Sequence, residues 1–308
     1  MPSRVIVPLD GSKFAEDALG VALSLVGDGS LDLVTAVEGA PPFSVPEYEA
    51  LARDWAARYL EGLTEKLPPS VVAQTHVLVG SPARELQAFI EASEADLVVM
   101  ATHGRGPVTR AWLGSMADHL LRTSTAPLLL LHLDKEEEPS YQAEGGLGRI
   151  LIPLDGSERA ESAIEGTRAL LGDEVNITLM RVVQYPYHFV SPYLPDTIQG
   201  NQELFRQATS HAKDYLTEMA WKVKDGVSQV ETEVTVSEHP GQAIVDFAES
   251  NEFDAIAMAT HGRGGLGRLA LGSVADKVIR ATRIPVLTFR PEEQPQEKSK
   301  PAPVMISL

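Results

Sequence analysis

The sequence predicts an α/β protein made of two repeated, doubly wound domains, each a five-stranded parallel sheet with helices on both faces. Three observations carry this expectation. The first is an internal repeat: "SRVIVPLDGSKFAEDAL" from Ser3 answers to "GRILIPLDGSERAESAI" from Gly148, and "ATHGRGPVTRAWLGS" (Ala101 to Ser115) answers to "ATHGRGGLGRLALGS" (Ala259 to Ser273). The second is an alternation, within each copy, of short apolar runs with stretches of helical spacing. The third is a set of runs that are apolar throughout, as strands covered on both faces must be. Parallel neighbours need crossover connections, so five strands joined by helices imply a doubly wound sheet.

The elements follow in order. "RVIVPL" is a β-branched strand, followed by a helix from about Ser12 to Leu25. "LDLVTAVE" is the second strand. Pro46 to Lys66 has helical spacing through Tyr48, Leu51, Trp55, Tyr59 and Leu63. "VVAQTHVLVG" alternates as a strand does, and "SPARELQAFIEAS" starts with a serine cap and a proline at the first helical position. "ADLVVMA" and "APLLLLHL" are the last two strands, with a helix from Ser115 to about Thr123 between them. The second half repeats the order with "RILIPL", "NITLMRVV", "SQVETEVTV", "FDAIAMA" and "IPVLTF". Its extra length is expected in the segment Gln184 to Phe205, where "YPYHFVSPY" reads as an ordered surface loop. Trp55 and Trp221 lie on amphipathic helices and are expected to pack into the core.

These boundaries give domains at 1–134 and 149–290, a charged, glycine-bearing linker at 135–148, and a polar, proline-rich flexible tail at 291–308. The 308 residues suit two domains of ordinary size, and 44% apolar content suffices for globular cores. No apolar run approaches the ~20 residues that span a bilayer, and no signal peptide is evident, so a cytoplasmic location is expected. The absence of cysteine excludes disulfides, thiolate metal sites and cysteine nucleophiles. The net charge is −17 and both halves are acidic, which argues against nucleic acid and anionic membrane as partners. An anionic ligand then needs local help from backbone N–H groups, a few basic side chains or a metal ion.

The repeated fifteen-residue stretch offers such help. Ligands of open α/β sheets collect beyond the carboxyl ends of the strands, at the switch point. Asp10 follows strand one and His103–Gly104 follow strand four; in the second half these are Asp155 and His261–Gly262. Gly114-Ser115 and Gly272-Ser273 open the last helix of each half. A helix start presents unpaired N–H groups and the positive end of a dipole, and glycine admits anionic oxygens without a Cβ in the way. "GSMAD" and "GSVAD" place serine three residues before aspartate, in the manner of a capping box. The competing readings are structural: Gly104 as a turn, Ser115 as a cap, and Asp10 and Asp155 as turn or cap residues of "LDGS".

The spacing resembles that of the universal stress protein family, in tandem form, over both halves. Its nucleotide-binding members carry Gly, two residues, Gly, nine residues, then Gly-Ser or Gly-Thr. Here Gly104 and Gly262, nine residues on, reach Gly114-Ser115 and Gly272-Ser273, while Ala101 and Ala259 replace the first glycine. The resemblance implies the strand order 3-2-1-4-5. It also implies an adenine-nucleotide site in each half. Asp10 or Asp155 contacts the nucleotide; Pro8-Leu9 or Pro153-Leu154 line the pocket; the backbone of Val37 or Val182 meets adenine. The loop residues His103 and Gly104, or His261 and Gly262, hold ribose and phosphates together with Gly114, Ser115 and Met116, or Gly272, Ser273 and Val274. The ligand is ATP, ADP or AMP, with Mg²⁺ bridging the phosphates. In this family the halves pair through their last strands, which "APLLLLHLD" and "IPVLTFRP" would do within one chain, and a homodimer is a further expectation.

No aspartate–histidine–serine arrangement or histidine ligand spacing is present, so at most slow ATP hydrolysis is expected. The expected role is that of an ATP-binding stress-response or regulatory protein. The alternative is a nucleotide-free dimerisation or interaction module of the same fold, kept open by Ala101 and Ala259.

Overall fold

The computed structural model describes residues 1–39, 47–102, 113–132, 146–184, 197–260 and 271–290. The first half contains β1 (Arg4–Pro8), α1 (Lys13–Glu16), α2 (Ala18–Val26), β2 (Ser30–Val37), α3 (Tyr48–Thr64), β3 (Val72–Val79), α4 (Pro82–Ser93), β4 (Leu97–Ala101), α5 (Ser115–Thr123) and β5 (Leu128–Leu131). The second contains β6 (Arg149–Pro153), α6 (Glu158–Leu171), β7 (Asn176–Val183), α7 (Thr197–Val223), β8 (Gln229–Val236), α8 (Pro240–Ser250), β9 (Ala255–Ala259), α9 (Ser273–Ala281) and β10 (Val286–Phe289). The segment "YPYHFVSPY", the tail from 291 and most of the expected linker lie outside the described residues.

The described strands join in a ten-stranded sheet of order β3-β2-β1-β4-β5-β10-β9-β6-β7-β8. Each half is parallel and has the expected 3-2-1-4-5 order. The halves meet through one antiparallel seam, where Leu130 faces Val286 and Leu129 faces Leu287. Arg280 of α9 lies 3.7 Å from Asp118 of α5, and Arg290 donates to the Arg122 carbonyl, so polar contacts also cross the seam.

Two cores follow from strand alternation. Val5, Val7, Leu97 and Val99 point to one face, covered by α1, α2, α3, α6 and α7. Ile6, Val98 and Met100 point to the other, covered by α4, α5, α8 and α9. Each core contains residues of both halves, with Leu129 and Leu287 in the first and Leu130 and Val286 in the second. The seam is therefore the middle of a shared interior rather than a surface contact between finished domains.

Sequence reasoning placed Trp55 and Trp221 in the core, and the structure corrects this: they are 56% and 70% exposed. On α3 the stripe that meets the sheet is Ala56, Leu60 and Leu63. Trp55 is one residue out of phase and stacks on Tyr59 instead, ring centroids 5.9 Å apart. Trp221 lies under the Lys224 ammonium.

Candidate functional site

The crevice begins where β1 ends. β1 pairs with β2 on one side and β4 on the other, all parallel. After β1 the chain crosses to the face covered by α1 and α2; after β4 it crosses to the face covered by α5. Adjacent strands whose connections leave to opposite faces form a switch point, with a gap beyond their carboxyl ends. β6 and β9 repeat the arrangement.

Pro8 and Pro153 are the last residues of their strands, and Leu9 and Leu154 are buried just beyond, their amides donating to Val34 and Met180. Asp10 and Asp155 organise the turn that follows. In each, Oδ1 accepts from the amide of the serine two residues on at 2.9 Å and from its hydroxyl at 2.6 Å. Ser12 and Ser157 then cap the next helix by accepting from Ala15 and Ala160. Gly11 and Gly156 between them have φ of 80°, the left-handed region that costs glycine little. Thus both aspartates hold an "LDGS" turn at the rim of the crevice, Asp10 exposed and Asp155 half-buried.

The far wall is the start of the last helix. Gly114 is the N-cap residue of α5 and Gly272 that of α9, with no side-chain cap on either. The capping-box reading is therefore corrected: Ser115 and Ser273 occupy the first helical position, one residue too late to cap, and are exposed. Asp118 accepts from Arg122 instead. The Arg122 guanidinium, helped by Arg280, holds its carboxyl below the usual carboxylate range. The first-turn amides of Ser115, Met116 and Ala117 have no intrahelical acceptors, and the same holds for Ser273, Val274 and Ala275. Both helix starts carry the positive end of a dipole, with no side-chain cap hydrogen bond among the described residues and with Asp118 and Asp276 as the acidic residues of the first turn.

One pair of residues missed in the sequence fixes that helix start. Thr102 and Thr260 are buried directly after β4 and β9. Thr102 donates its amide to Leu131 and accepts from the Gly114 amide at 2.8 Å; Thr260 does the same with Phe289 and Gly272. The two ends of the loop carrying Gly104 or Gly262 are thereby pinned together. A Cβ on Gly114 would lie 2.9 Å from the Thr102 carbonyl, so glycine is needed there for the clamp itself. The signal was available, since both copies read "ATHG". His103, Gly104, His261 and Gly262 lie outside the described residues.

Ala101 and Ala259 end β4 and β9 as regular strand residues. Side chains alternate along a strand. Ala101 therefore continues the Val99 face, towards α1 and α2, whereas α5 packs on the Met100 face. Its methyl group therefore points away from the face on which α5 packs.

Val37 requires a correction. Pro8 pairs with Val34 and Pro153 with Met180, so the register equivalent of Val37 is Val183, and that of Val182 is Ala36. In a parallel ladder the N–H and C=O of one residue point to the same neighbour, alternating along the strand. The Val34 and Met180 carbonyls receive β1 and β6, whereas those of Val37 and Val183 receive Gly80 and Ser237 on the far side. Ala36 and Val182, two residues beyond Val34 and Met180, turn their backbones towards the space past the ends of β1 and β6. Val37 and Val182 are therefore not equivalent positions: the counterpart of Val182 is Ala36.

A cleft of about 540 Å³ lies elsewhere, against the seam, lined by Glu91, Glu94 and Asp96 on one side and by Gly166, Leu170 and Phe289 on the other. It contains none of these residues.

The universal stress protein family model matches residues 1–132 and 146–290. This chain belongs to the universal stress protein family. A universal stress protein of Mycobacterium tuberculosis strain H37Rv is 26% identical to it over 306 residues, spanning 93% of this chain and 96% of its own. Another, from Methanocaldococcus jannaschii, is 32% identical over 149 residues, 46% of this chain and 81% of its own. The crystal structure of a universal stress protein from Archaeoglobus fulgidus matches the fold with a TM-score of 0.62 at 16% identity, over 93% of this chain and 96% of that one. The chain is thus a tandem universal stress protein with a stress-response role. No helix among its described residues is long and apolar enough to cross a membrane.

Proposed function

We propose that this universal stress protein binds one adenine nucleotide in each half, at the crevices of β1–β4 and β6–β9, and acts through nucleotide occupancy rather than turnover. The observation that carries the reading is the pair of uncapped helix starts, each clamped by a buried threonine and each beside a switch point. Exposed amides at the positive end of a helix suit phosphate oxygens in an otherwise acidic protein. The ligand's other contacts are those the family resemblance implies, adjusted to the register of β2 and β7. Adenine meets the outward backbone of Ala36 or Val182, and the ribose lies towards Asp10 or Asp155. The phosphates reach the amides after Gly114 or Gly272.

Among the described residues no group of three His, Asp or Glu gathers to hold a metal. In this reading Mg²⁺ would be held through the nucleotide's phosphates. The domain units of this reading are 1–134 and 149–290, joined through 135–148.

A ligand that binds only the folded protein stabilises it by about 2.7 kcal/mol at 100 times its Kd. Mg-ATP or Mg-ADP in that range is expected to raise the thermal midpoint by a few degrees, while the same concentration of Mg²⁺ with inorganic phosphate leaves it nearly unchanged. Equal shifts for nucleotide and phosphate would remove adenine from the account. No shift with any adenine nucleotide would favour an interaction module acting through its surfaces alone.

A further inference from the structure

The ten-stranded sheet ends in two edges, β3 and β8, which occupy equivalent places in the repeat. Exposed edges offer unpaired N–H and C=O groups to any second strand, and proteins usually guard them with charge, proline or a bulge. The two edges differ in this respect. Aligned through their neighbours, Gln74 and His76 of β3 stand where β8 has Glu231 and Glu233. β3 reads VAQTHVLV, eight residues with no Asp, Glu, Lys, Arg or Pro, and it pairs with β2 residue for residue along its whole length. In a chain of net charge −17, one edge is shielded by carboxylates and the other is neutral.

The phase of the ladder settles which backbone groups face outward. Gly80 donates to Val37, so the even-numbered residues of β3 turn to β2. Ala73, Thr75, Val77 and Val79 turn their N–H and C=O groups away from the sheet. This edge is held in place: His76 Nε2 lies 2.8 Å from the buried Asp32 Oδ1, and Asp32 also accepts from Arg4.

We infer that β3 is a self-association edge, pairing antiparallel with β3 of a second copy of this chain about a two-fold axis. The chain already joins its own halves by an antiparallel pair, β5 with β10. Only β3 can repeat that union between copies without bringing like charges together, because two β8 edges would oppose four carboxylates. An isologous pair also closes, which limits assembly to two chains. The register that uses all four outward residues sets Thr75 against Val77 and Ala73 against Val79 of the second copy. It places His76 opposite its own equivalent, at a position without ladder hydrogen bonds, where side chains approach most closely.

Sedimentation velocity of the full chain tests this. At tens of micromolar the wild type is expected at twice the 33.3 kDa chain mass. Gln74→Lys/Thr75→Lys, at two exposed side chains, is expected to weaken the dimer at least 10-fold with an unchanged circular dichroism spectrum. Because the chain has no cysteine, His76→Cys adds a single thiol, and mild oxidation is expected to yield a covalent dimer. Gln74→Cys is expected to cross-link far more slowly. A monomeric wild type, a mass that keeps growing with concentration, or a dimer untouched by the lysines would each overturn the inference. Equal cross-linking at 74 and 76 would do so too.

Discussion

The double variant Ser115→Asp/Ser273→Asp is expected to lose adenine-nucleotide affinity by roughly 100-fold in both halves, with no loss of thermal stability. Ser115 and Ser273 are exposed and sit at the first helical position, so the added carboxylates disturb no core. A carboxylate in the first turn is itself favourable to a helix, by about 0.3–1 kcal/mol. A phosphate arriving at the same amides would meet that negative charge at about 5 Å. At an effective dielectric of about 20 the repulsion is about 3 kcal/mol per pair of unit charges, which is the 100-fold loss. Replacement of Gly114 is a poorer probe, because its Cβ would strike the Thr102 carbonyl and damage the clamp along with the site. Unchanged affinity in the aspartate variant would show that phosphate does not lie at these helix starts.

The second large effect concerns the seam. Leu130 is fully buried opposite Val286, in a core drawn from both halves. Leu130→Asp would place a carboxylate there without a partner, at a cost of about 4 kcal/mol or more. Since both cores are continuous across β5 and β10, the wild type is expected to unfold in urea as one cooperative transition. The variant is expected to shift that whole transition to lower urea. Two separate transitions in the wild type, or a variant that destabilises the first half alone, would show that the halves are independent units in contact.

Both expectations depend on features that were unequally legible in the sequence. The repeat and the alternation of strands with helices follow from local signals, namely apolar runs, period-two alternation and helical spacing, whereas the strand order was implied by the family resemblance. Ser12 and Ser157 cap as their positions suggest. Ser115 looks much the same in sequence yet does not cap, because the preceding glycine is fixed by its bond to Thr102 and takes the cap position. That bond joins residues on either side of a loop and has no local signature. Val37 and Val182 were matched one step out of register for a similar reason. Which backbone groups of β2 face the crevice depends on where β1 ends and how β3 is aligned, and neither is written within β2. On α3, helical spacing is satisfied by Leu51, Trp55 and Tyr59 as well as by Ala56, Leu60 and Leu63. The stripes are one residue apart, and only packing against β2 and β3 decides between them.

The departure from the family's glycine pattern is also clearer in three dimensions. Alanine at positions 101 and 259 kept the nucleotide-free alternative open, whereas strand alternation sends the methyl group of Ala101 to the α1–α2 face. Among the described residues the two crevices differ at the rim, where Asp10 is exposed and Asp155 half-buried, and in Met116 and Ala36 against Val274 and Val182. Their described strands, turns and helix starts follow the same pattern.

Calorimetric titration of the full chain with Mg-ATP, repeated with Mg-ADP, tests the two-crevice account most directly. Saturable binding of two nucleotides per chain is the predicted result, whether or not the two sites share one affinity. Binding that saturates at one nucleotide per chain, or the absence of saturable binding in protein shown to be free of retained nucleotide, would contradict it.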